Sequence, residues 1–175
     1  MSRRLAVPVV VLLAAVAAAV GLYLFQPWRI FTSSTLTEDV PAVAPTSQSA
    51  GPSDEPSAVA PREVVTGRLI SHEHASSGTV KILELSDGSR ILRFEGLDTS
   101  DGPDLRVWLS DAPVIEGSAG WYVFDDGVHL DLGALKANKG DQNYEIPPGV
   151  NLADYSSVSI WCARFAVSFA AAELT

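Results

Sequence analysis

The pattern of apolar and polar positions changes twice along the chain. Residues Leu5 to Phe25 carry no charge and are almost wholly apolar. This run of 21 residues makes about 31 Å of helix at ~1.5 Å rise per residue, enough to cross a bilayer core. Residues 32–63 are polar and without periodicity, built mainly from Pro, Ser, Ala, Thr and acids. From residue 64 onward short apolar runs alternate with polar positions and are broken by turn signals. The pattern predicts three parts: a tip and transmembrane anchor over 1–31, a disordered linker over 32–63, and one domain over 64–175.

Within the domain the period is two, the signature of strands with one face buried. "KILELSDGSRILRFE" holds two apolar-rich runs joined by Ser-Asp-Gly-Ser, which predicts a hairpin. "DLRVWLS" sets Leu105, Val107 and Leu109 against Arg106, Trp108 and Ser110. "WYVFDDGVHLDLG" reads as a second hairpin across Asp125-Asp126-Gly127, with His129 facing away from Val128 and Leu130. "LGALKANKG" offers the one short helical turn. Strands this short, with turn signals every 8–12 residues, predict an all-β fold, an antiparallel β-sandwich of seven to nine strands. In "SSVSIWCARFAVSF" the apolar phase slips by one residue: Val158, Ile160 and Cys162 are even, whereas Phe165, Val167 and Phe169 are odd. The slip calls for a bulge or a tight corner at Cys162-Ala163-Arg164.

Charge settles what the domain does not bind. Residues 64–175 hold 16 acids against 8 Lys and Arg, which argues against nucleic acid and against an anionic lipid surface as partners. The anchor carries Arg3 and Arg4 on its N-terminal side, so the positive-inside tendency places the domain outside the cytoplasm, with residues 5–25 in the cell membrane. A cleaved signal peptide is the competing reading of the same run, and it exports the domain equally. The linker composition buries too little surface to offset its ordering cost, so it reads as a tether that lifts the domain from the membrane.

An exported domain sharpens the question of Cys162, the only cysteine in 175 residues. It cannot form an internal disulfide, and an unpaired thiol in an oxidising compartment calls for burial, a ligand or a role. Packed against Ile160 it would be a small apolar core residue. Exposed beside Arg164 it would be a reactive thiolate. His72 and His74 are spaced to share one strand face, a possible metal pair. Asp98, Asp101 and Asp104 could collect a calcium ion but lack EF-hand spacing. No nucleophile elbow, phosphate-cradling glycine loop or Cys-x-x-Cys-His motif is present, so nothing points to a hydrolase and any haem would be non-covalent.

The run "LGALKANKGDQNYEIPPGVNLADYSSVSIWCARFAVSFAAAEL", with "GPDLRVWLS" and "HEHASSGTVKILEL" upstream, resembles the DM-thirteen, or electron-transfer DM, domain. "KGDQNYEIP" and "IWCARF" are its specific segments, and the resemblance spans residues 64–174. It implies a β-sandwich, found beside DOMON and cytochrome-type membrane modules in animals and alone on bacterial anchors. It also implies a redox role for a cysteine, as a free thiol or as ligand to a prosthetic group such as haem. Cys162 matches that cysteine, and His74 in "HASSG" matches a family histidine. Arg164 would then stabilise the thiolate. Two functions follow: a membrane-tethered redox module with an envelope redox partner, or a non-catalytic cell-envelope interaction module in which Cys162 only packs.

Overall fold

The computed structural model describes residues 3–41 and 60–175. The chain begins with α1 (Arg3–Phe25), which carries Pro8 near its start, where a missing backbone N–H is tolerated. The described apolar side chains of α1, from Val7 to Phe25, are largely exposed and make almost no contact with the rest of the protein. Gln26, at φ 41°, turns the chain, and Pro27–Phe31 follow as a 3-10 turn.

Ten strands form among the described residues: β1 (Thr35–Thr37), β2 (Arg62–Arg68), β3 (Ile70–Ser71), β4 (Ser77–Glu84), β5 (Arg90–Asp98), β6 (Leu105–Ser110), β7 (His129–Ala134), β8 (Lys139–Ile146), β9 (Ser157–Cys162) and β10 (Val167–Glu173). They make two five-stranded sheets, in the orders β1-β8-β5-β4-β2 and β3-β10-β9-β6-β7. Every pairing is antiparallel except that of β1 with β8. The fold is therefore the antiparallel β-sandwich that the two-residue period predicts. Leu105, Val107 and Leu109 of β6, with Val158, Ile160 and Cys162 of β9, face Val80, Ile82, Leu92 and Phe94 of the other sheet across one apolar core. Such alternation is what lets an antiparallel sheet bury one face.

The strand count exceeds seven to nine because β1 and β3 are too short to show a period. Three other expectations are corrected. "WYVF" is not a strand: only β7 forms there, and residues 111–128 instead lay Ala112, Val114, Val123 and Phe124 over the outer face of β6 and β9, against Trp108 and Trp161. "LGALKANKG" makes no helical turn: Leu132, Gly133 and Ala134 end β7, Lys139 and Gly140 open β8, and residues 135–138 connect them. The linker's first part is not free. Thr35–Thr37 pair with Lys139–Asp141, Glu38 Oε1 accepts from Lys136 Nζ at 2.9 Å and Glu38 Oε2 from the Asn143 amide at 2.7 Å. Val40 packs on Leu83, Leu85 and Ile91. Gly140, at φ 97°, makes this possible, since a Cβ there would collide with the Leu36 carbonyl. The end of the expected linker joins the fold as well, since Arg62 and Glu63 open β2, and residues 42–59 lie outside the described residues.

At one corner the two sheets close on each other. Thr66 and Thr175 exchange backbone hydrogen bonds of 3.1 and 2.9 Å. Gly67 passes so close to the Glu173 carbonyl that a side chain would not fit.

Candidate functional site

β9 ends at Cys162 and β10 begins at Val167, joined by a turn over Ala163–Ala166. The turn absorbs the one-residue phase slip: Phe165 lies in it, 43 % exposed, whereas Val167 and Phe169 point into the core. Ala166 takes a left-handed conformation, φ 50°. A bulge between Ser168 and Ala170 then sets Phe169 and Ala170 on the same face and leaves Ser168 and Ala171 on the other.

Cys162 is 0 % exposed and free, packed in the inter-sheet core at the level of Leu105, its partner on β6. Burial pushes its thiol pKa up, and backbone amides of Phe165, Arg164 and Asp104 only partly oppose this. The charge of Glu73 adds to the rise. Arg164 does not supply the expected counter-charge: it is exposed, and its Nη1 donates to the Leu24 carbonyl of α1 at 3.2 Å. A thiol held protonated in an apolar core is a poor nucleophile.

His72 and His74 fall in a bend after β3, not on a strand, and they part company. His72 is buried on the outer face: Nδ1 lies 2.9 Å from Ser168 Oγ, and the ring contacts Phe124. Desolvation lowers its pKa, partly offset by the Ile115 carbonyl. His74 lies against Phe169, ring centroids 3.9 Å apart, with Nε2 3.4 Å from Glu73 Oε2. Ser168 and Phe169 point to opposite faces, so the two histidines do not converge as a metal pair. The aspartates disperse as well: Asp98 pairs with Lys139, Asp101 with Arg29 and Asp104 with Arg106. Among the described residues no group of three or more His, Cys, Asp or Glu is placed to hold a metal ion.

A haem or other prosthetic group ligated by Cys162 does not fit this arrangement. The sulfur has no exposed surface. Neither the ~280 Å³ cavity beside Arg29 and Asp101 nor the ~640 Å³ cavity beside Pro41 and Arg90 is lined by Cys162 or His74.

On the other face of β9, Trp161 stacks on Trp108 with ring centroids 5.0 Å apart, and Trp108 stacks on exposed His129 at 4.0 Å. This set of π systems runs from solvent to the residue adjoining Cys162. Sequence alternation put Trp108 away from the core, but its contact with Trp161 depends on the pairing of β6 with β9, which alternation does not encode.

The family model of DM13, described as electron transfer DM13, matches residues 68–174. The chain belongs to the DM13 family. The match covers β3 to β10 and includes Cys162, His74 and the Trp108–Trp161 pair, while α1, β1 and all of β2 but Arg68 lie outside it. No curated protein and no solved structure matches the chain significantly.

Proposed function

We propose that this protein is a membrane-tethered DM13 module with a redox role outside the cytoplasm, in which Cys162 is the electron-exchanging atom. The observation that carries the reading is the DM13 match across β3 to β10, which contains a lone cysteine that the fold shelters at the end of β9. α1 supports the tether: it is long and apolar enough to cross a membrane, and its described side chains before the last turn stand clear of the sandwich. Arg3 and Arg4 at its N-terminal end support an extracytoplasmic domain. Shelter suits a thiol used for electron exchange, because a protonated buried sulfur resists the irreversible steps of oxidation. The Trp108–Trp161 stack offers a polarisable route from the surface to its neighbour.

The burial and raised pKa of Cys162 also favour a second reading, a non-catalytic envelope interaction module in which the cysteine is packing. Cycling the purified full chain between mild oxidant and reductant decides between them. Under the redox reading peroxide oxidises the wild-type Cys162 thiol to a sulfenic acid with release of water, and electron uptake from a dithiol restores the thiol with loss of a second water. Cys162→Ala shows no such uptake, and Trp108→Phe shows it more slowly with its stability kept. Uptake unchanged in Cys162→Ala would move the redox atom elsewhere. No uptake by either protein would leave the interaction module. A reporter fused after Thr175 tests the topology, since activity of a strictly cytoplasmic reporter there would overturn it.

A further inference from the structure

The sandwich stands against the outer end of α1 and is not lifted from it. Arg29 Nη1 reaches Asp101 Oδ1 at 3.3 Å and the Gly102 carbonyl at 3.1 Å. Thr32 Oγ1 donates to Asp101 Oδ2 at 2.6 Å. Arg164 donates to the Leu24 carbonyl, and Phe165 stacks on Phe25, centroids 5.8 Å apart and planes 20° from parallel. Phe25 is the last residue of α1.

From this geometry we infer that the β9–β10 turn, through Phe165 and Arg164, is seated in the headgroup layer of the bilayer that α1 spans. The inference rests on the membrane-anchor reading of α1. If the apolar run fills the hydrocarbon core, Phe25 lies at its outer boundary, and a ring stacked on Phe25 lies at the same depth. Phe165 is a large aromatic left 43 % exposed at a turn tip, and Trp28, in the adjoining 3-10 turn, is 50 % exposed. Trp rings favour this interface through their amphipathic character, and Phe anchors interfacial segments through its apolar area. Arg164 spends one N–H on Leu24 and keeps others for lipid phosphate, which a guanidinium fork suits. The occupant is a phospholipid surface and need not be anionic, because the acidic domain would be repelled by negative headgroups while the aromatic contact is indifferent to their charge. Charges facing this pole are Arg29, Arg164, Asp101 and Asp104, and Arg29 with Asp101 is already paired.

The test uses the full chain in phosphatidylcholine vesicles, with a nitroxide at one introduced cysteine at a time. Ala163→Cys reads the turn with Phe165 intact, Leu12→Cys reads α1, and Asp87→Cys reads the far end of the sandwich. The unlabelled reaction of wild type serves as blank, since Cys162 is buried. Collision with dissolved oxygen relative to a water-soluble nickel chelate should be several-fold higher at positions 12 and 163 than at 87. Adding Phe165→Asp, tolerable at an exposed turn position, should return position 163 to the value at 87. Water-like accessibility at 163 with position 12 in lipid would overturn the inference and leave the anchor standing. Water-like accessibility at 12 would overturn the anchor reading, and the inference with it. A lipid-like 163 unmoved by Phe165→Asp would also overturn the role given to Phe165.

Discussion

At Cys162 and His72, burial acts on two titratable groups with opposite consequences for pH. A raised thiol pKa means the folded chain keeps its proton longer than the unfolded chain, so stability falls as pH rises through the ordinary thiol range. His72 is the reverse case. Its folded pKa lies below the ordinary 6.5, so below that pH the unfolded chain binds the extra proton and stability falls as pH falls. Chemical denaturation of wild type should show this loss on acidification from neutral pH, and His72→Gln should flatten it. Cys162→Ser should destabilise the domain by roughly 1–3 kcal/mol, because an unpaired hydroxyl replaces a sulfur in an apolar site. The core face of Cys162 was legible in the sequence, since the two-residue period aligns it with Val158 and Ile160. The separate fates of His72 and His74 were not. Their i, i+2 spacing implies one face only on a strand, and the chain bends there, where the β10 bulge decides what each ring meets.

Among the elements, β1, like β3, was announced by neither alternation nor composition. Three residues of "TLT" carry no period, and the strand exists because a partner is available: the edge of β8, cleared of a side chain at Gly140. Gly140→Ala should therefore release β1, both through the collision with Leu36 and through the cost of an alanine at φ 97°. Faster hydrogen exchange over residues 34–41, with the remaining strands still protected, would show it, whereas unchanged protection would mean that Glu38 alone holds the strand. Glu38 adds a pH dependence. Burial raises its pKa, but the Asn143 amide and the Lys136 and Arg93 charges outweigh this and the net shift is downward. The contribution is present above the ordinary carboxylate pKa and disappears as pH falls through the lowered one, so β1 should fray in acid before the core does. The β4–β5 hairpin was legible because Ser-Asp-Gly-Ser interrupts two clear apolar runs. Residues 121–124 of the covering segment were misread because their aromatic side chains resemble a strand, while the segment packs over Trp108 and Trp161.

At the scale of the whole molecule, the sequence placed an apolar helix and a sandwich in the right order but not their relation. The polar stretch after α1 suggested a long tether, yet the span from Phe25 to β1 is short and latched, so the sandwich is oriented by the helix. Asp101 is the centre of the latch: it accepts from Arg29 and Thr32 on one side and from the Gly102 amide, at 2.8 Å, on its own. The Arg29–Asp101 pair is partly solvated, and such pairs contribute ~0–1 kcal/mol, so removing it should leave the melting of the sandwich nearly unchanged. Its effect should fall on orientation. In Asp101→Ala, residues 27–34 should exchange amide hydrogen faster, and the distance distribution between nitroxides at Leu12→Cys and Asp87→Cys should broaden relative to the same labels on Asp101. A distribution that stays narrow would assign the orientation to the Phe25–Phe165 stack and the Arg164–Leu24 hydrogen bond, and Phe165→Asp should then be the substitution that broadens it.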